Sequence, residues 1–145
     1  MDSLDLVALL REGIAQTYPT KRTLHDDAGT HACATGCIKL ALTRGKTDAD
    51  SPRWARVREH LAKTRIDWDR LPAQKAEVPE DSVLKHEARS DPSRASLMLV
   101  LTTLNDYTSM SRDAIAEWMA SELDDIERTV YFGADREEKQ QHVVL

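Results

Sequence analysis

Aromatic residues are scarce in this chain: Phe, Trp and Tyr together make up 5% of its 145 residues. Leu, Ala, Val and Ile must therefore fill any core. Cysteine is scarce too. Two cysteines exclude the disulfide framework of a small secreted domain, and a chain of this length buries about two-thirds of its unfolded surface without such a staple. No apolar run is long enough to span a bilayer. The start, Met1-Asp2-Ser3-Leu4-Asp5, is acidic where a secretory signal is basic, which leads us to expect a cytosolic protein. Positive charge is in deficit, and the formal net charge of −5 argues against general nucleic-acid binding. No stretch alternates polar and apolar residues as a half-buried strand does. There is no GxGxxG, P-loop, HExxH or GxSxG motif, so no common nucleotide, metalloprotease or serine-hydrolase chemistry is indicated.

Helical spacing is what the chain does have. Leu6, Leu9, Leu10 and Gly13 share a face in a helix over about 3–17, with Ser3 able to cap it. A second helix is expected from about Thr30 to Thr43, with Cys33, Cys37, Leu40 and Ala41 as its stripe. Gly36 inside it implies close approach of another backbone. Ser51-Pro52 opens a third helix, with serine as cap and proline first, and Trp54, Val57 and Leu61 as its apolar face. A weaker helix is expected over about 80–89, and Ser90-Asp91-Pro92 is another cap-like opening. Ala95 to Leu104 is nearly apolar all round and reads as the central buried helix. Asn105-Asp106-Tyr107 reads as a turn before a last helix from Ser109 or Ser111 to about Tyr131. The expectation is an all-α fold: one compact domain, 1–133, of five or six helices around the central apolar helix, followed by a polar tail, 134–145.

The segment Cys33-Ala34-Thr35-Gly36-Cys37-Ile38, taken with the later Leu104-Asn105-Asp106, resembles a pattern in a family of small bacterial proteins of unknown function. There a Cys-Ala-x-Gly-Ala-Ile segment precedes a Trp/Phe-Asn-Asp turn and a terminal helix, whose cap and first turn match Ser111 and Asp113. This chain departs from it at Cys37 and Leu104. The resemblance implies a shared fold held by Gly36, Asn105 and Asp106, and no activity.

Cys33 is the one candidate nucleophile. A helix N-terminus lowers a thiol pKa, His31 or the distant His86 could act as base, and Asn105 or Asp106 could orient that base. Against this stands the packing reading, in which both cysteines are small core residues. His25, His31, Cys33 and Cys37 are zinc-type ligands, but their spacing matches no standard site, so no metal and no cofactor is expected. Charge is segregated: eight Lys/Arg face three acids between Lys39 and Arg65, whereas nine acids face two arginines between Asp113 and Glu138. Arg53, Arg56 and Lys63 on the basic helix 53–65 could therefore meet a partner, a second copy or an anion. The function expected is a non-catalytic cytosolic interaction protein, with a protein partner or self-association and no membrane. The alternatives are a cysteine-dependent hydrolase or transferase using Cys33, and a phosphate or nucleic-acid contact through the basic helix.

Overall fold

Local signals at the helix starts set most of the architecture. In the computed structural model, which describes residues 2–47, 51–79, 82 and 94–132, the chain runs β1 Ser3–Asp5, α1 Leu6–Gln16, β2 Tyr18–Pro19, β3 His31–Ala32, α2 Ala34–Thr43 and α3 Pro52–Lys63. It continues with β4 Arg65–Asp67, two 3-10 turns over Trp68–Arg70 and Ala73–Glu77, then β5 Arg94–Ser96, α4 Leu97–Tyr107, α5 Arg112–Glu122, α6 Asp125–Arg128 and β6 Thr129–Tyr131. The all-α expectation is overturned. The fold is mixed, with three two-stranded sheets among the described residues: β1 with β6 antiparallel, β2 with β3 parallel, and β4 with β5 antiparallel. Each strand is two or three residues long, too short for a period-two pattern to emerge in the sequence. Strands β1 and β5 lead straight into α1 and α4, and β3 is followed at once by the cap of α2.

Short polar side chains stop those strands and start the helices. Asp5 Oδ1 accepts the Val7 N–H at 2.8 Å, so Asp5 rather than Ser3 caps α1. Ser51 caps α3 ahead of Pro52, Ser96 caps α4 and Ser111 caps α5. Each such cap contributes about 1 kcal/mol. The expected last helix is broken in two, because Asp124 and Glu127 form a reciprocal capping box that starts α6 afresh. The expected helix over 80–89, the opening at Ser90-Asp91-Pro92 and the tail 134–145 lie outside the described residues. Among the described residues no helix is long and apolar enough to cross a membrane.

The core is aliphatic, as the shortage of aromatics requires: Leu6, Leu10, Ile38, Leu61, Leu101 and Leu104 are all fully buried. Burying one such side chain contributes about 1.5–3 kcal/mol. Helices α1 and α2 pack almost backbone to backbone, since a Cβ on Gly13 would overlap backbone atoms of Cys37. Helix α4 buries only one side. Leu97, Val100, Leu101 and Leu104 are buried, while Met98, Leu99 and Thr102 on its other side are half-buried.

Candidate anion-binding cleft

The segment that gathers both cysteines also gathers the site. Cys33 lies one residue before α2, as its N-cap, with its Sγ accepting the Gly36 N–H at 3.3 Å. The expected helix start at Thr30 or His31 is three or four residues too early, because His31 and Ala32 are taken into β3. Asn105 and Asp106 fall in the last turn of α4 rather than in a turn between helices. From there Asn105, 4% exposed, clamps three segments: its Oδ1 accepts the Ala34 N–H at 3.1 Å, and its Nδ2 donates to the Thr20 carbonyl at 3.0 Å. Its Nδ2 also donates to Asp106 Oδ1, which accepts the Arg22 N–H at 2.9 Å. Arg22 holds a left-handed φ of 65°, a conformation disfavoured for a side chain with a Cβ. Gly36 sits directly beneath this loop, where a Cβ would overlap the Leu24 carbonyl oxygen. Thus Gly36, Asn105 and Asp106 meet around the loop over 20–24.

Between that loop, α2, α3 and α4 lies a cleft of about 410 Å³, within the usual range of small-molecule sites. Leu24, Trp54 and Met98 supply apolar walls, and Arg22, Lys39 and Arg58 supply positive charge against one carboxylate, Asp106. Lys39 is held by hydrogen bonds to the Thr47 carbonyl and to His25 Nε2, at 3.2 and 3.0 Å. His25 Nδ1 lies 2.9 Å from the Asp26 carbonyl and donates to it, leaving Nε2 to accept from Lys39. Arg58 has no hydrogen-bond or ion-pair partner among the described residues. Thr35, one turn before Lys39 on α2, also lines the cleft; it is 4% exposed, and its hydroxyl has no hydrogen-bond partner.

The nucleophile reading is not supported by this geometry. His31 Nδ1, at an exposed position of β3, is turned to Asp26 Oδ2 at 3.2 Å, and no histidine hydrogen-bonds Cys33 among the described residues, which do not include His86. Burial pushes the Cys33 thiol up from its ordinary value, and the nearby Asp106 charge adds to the rise. Burial likewise raises Cys37, although the Arg112 guanidinium at 3.0 Å opposes it. Both groups are therefore neutral thiols at pH 7. Native thiols should react slowly with a disulfide reagent and quickly only after denaturation. Because the folded pKa values lie above the unfolded value of about 8.5, the stability they contribute is complete below that pH and falls as pH rises further. Urea midpoints at pH 7.5 and 10 should differ less in Cys33→Ala/Cys37→Ala than in the wild type. Rapid labelling of the native protein at pH 7 would contradict this.

The other sequence candidates scatter. Arg53 pairs with Asp2 at 2.8 Å and lies 4.3 Å from the centre of the Phe132 ring, while Lys63 pairs with Glu59 one turn away. Glu117, in the acidic stretch after Asp113, pairs with Arg11. Lys63 holds the Glu59 pKa below its ordinary value, and the charge of Arg56 on the same helix adds a smaller push in that direction. Cys37 turns to Arg112 and Thr17, and His25 to Lys39, so the zinc-type ligands have separate partners. No group of three His, Cys, Asp or Glu among the described residues is placed to hold a metal ion. No motif in the sequence marks Arg22, Thr35, Lys39 and Arg58 as a set. Arg58 carried a signal, since it lies four residues after Trp54 and three before Leu61, at the edge of the apolar stripe rather than opposite it.

No family model, curated protein or solved structure matches this chain. The site must be read from its own chemistry.

Proposed function

We propose that this is a non-catalytic cytosolic binding protein that holds a small anion, of the phosphate type, in the cleft at the start of α2. The observation that carries the reading is the buried Thr35 hydroxyl, left without a partner at the wall of a cleft that collects three cations. A buried hydroxyl without a hydrogen bond costs about 1–3 kcal/mol, which a bound acceptor offsets. Threonine on a helix has two accessible χ1 settings, and rotation between them re-aims the hydroxyl. The first peptide N–H groups of α2 are not the binding groups, because Asn105 and Cys33 already accept from Ala34 and Gly36. What the helix adds is its partial positive charge, about half an elementary charge at the N-terminus. Side-chain cations supply the rest, and the partly enclosed setting strengthens them relative to water. With Cys33 a buried, protonated thiol, the site favours retention over covalent chemistry.

Calorimetric titration with inorganic phosphate tests this. Saturable binding is expected, weakening as salt rises because exposed charges are screened. Thr35→Val should lower affinity about tenfold, the weight of one hydrogen bond to a charged group, and Arg58→Gln by a similar factor. Absence of saturable binding, or equal affinity in the wild type and both variants, would overturn the reading.

A further inference from the structure

A second cleft, of about 480 Å³, lies on the other side of the same turn of α4. Thr102 and Asp106 line both clefts. The two differ sharply in charge. Arg22, Lys39 and Arg58 line the first alone, whereas Asp106 is the one charged group among the described lining residues of the second. Leu99, Pro79 and Tyr107 give the second its apolar surface. Arg22 connects the two, since its guanidinium lies 5.4 Å from the centre of the Tyr107 ring.

Resting on the anion reading above, we infer that the ligand is an amphiphilic anion: a phosphate monoester whose alkyl arm crosses Thr102 and lies against Leu99 and Tyr107 in the second cleft. The outward side of a surface helix is normally polar. On α4 that side carries Met98 and Leu99, both only half-buried, and this is why the segment reads as apolar all round. An inorganic ion would leave that surface, as the described residues form it, without further cover. A ligand with a charged head and a hydrocarbon arm matches both halves, head to the cations of the first cleft and arm to the apolar walls of the second. Thr102 at the divide is small enough to let a chain pass, and it is half-buried rather than sealed into the core.

A homologous series of probes decides the matter: inorganic, methyl, butyl and hexyl phosphate, titrated below micelle-forming concentrations. Each methylene removed from water should tighten binding about fourfold until the cleft is filled. Leu99→Gln should flatten that slope while leaving inorganic phosphate affinity unchanged. Leu99→Ala, at a half-buried position, provides the same test if Leu99→Gln does not fold. Binding of inorganic phosphate with no dependence on chain length would overturn this inference and leave the anion reading intact. So would a chain-length slope that neither variant alters, since the arm would then lie elsewhere. Failure of every member of the series to bind would overturn the anion reading itself.

Discussion

Arg112→Ala should destabilise the fold by about 3 kcal/mol or more, measured by urea denaturation. Arg112 is 8% exposed at the first position of α5, and its guanidinium is the binding group. It donates to Thr17 Oγ1 at 2.7 Å, the Thr17 carbonyl at 2.9 Å, the Ala32 carbonyl at 3.1 Å and Cys37 Sγ at 3.0 Å. One side chain thereby ties the end of α1, strand β3, helix α2 and helix α5. None of these acceptors is a carboxylate, so the interaction rests on geometry: a planar fork that reaches several acceptors at once. Removing it leaves buried acceptors unsatisfied at about 1–3 kcal/mol each, reduced where water enters the space vacated. Arg112→Lys keeps the charge but not the fork, and should lose more than half as much stability as Arg112→Ala. A near-neutral Arg112→Ala would show that these contacts contribute little.

Gly36→Ala should lower stability by about 2 kcal/mol and Tm by about 4–8 °C. Two effects of opposite sign compete. Alanine in a helix interior is favoured over glycine by about 1 kcal/mol. Against this, the added Cβ would overlap the Leu24 carbonyl oxygen and meet the Ala32 Cβ at 3.2 Å. Overpacking costs about 1–3 kcal/mol, and the upper end applies because the obstructing atom is backbone. That loop cannot retreat cheaply: the Leu24 carbonyl accepts the Cys33 N–H at 3.0 Å, and Arg22 and Thr20 are held from α4 by Asp106 and Asn105. The same displacement moves Arg22 and Leu24 in the cleft wall, so phosphate affinity should fall with stability. A rise in Tm would mean that helix propensity outweighs the clash and that the loop yields.

Gly36 was also among the most legible positions in the sequence. A glycine inside an otherwise good helix calls for a close neighbour, and the Leu24 carbonyl is that neighbour. Ser51-Pro52 was equally plain, because a cap followed by proline has one reading. The strands were not legible, since two or three residues leave no period to detect and their pairing is settled by long-range contacts such as Leu4 opposite Val130. Asn105-Asp106 reads locally as a turn, yet the apolar run before it carries the helix through both, and the Asn105 side chain is satisfied by Ala34 and Thr20 far away in sequence. The cleft escaped for a related reason. Arg22, Thr35, Lys39 and Arg58 form no local motif, and only the packing of α2, α3 and α4 brings them together. The all-round apolar character of α4 is visible in the sequence and predicts complete burial, whereas Met98 and Leu99 line clefts.

The most direct test of the anion cleft is a nuclear magnetic resonance titration of the 15N-labelled protein with inorganic phosphate, following backbone amides and arginine side chains. Saturable shifts confined to residues 33–36, Arg22, Lys39 and Arg58 are expected, with a common dissociation constant that weakens in Thr35→Val. Saturable shifts centred elsewhere, on Arg53 and Lys63 for example, or no shifts at all in the wild type, would contradict it.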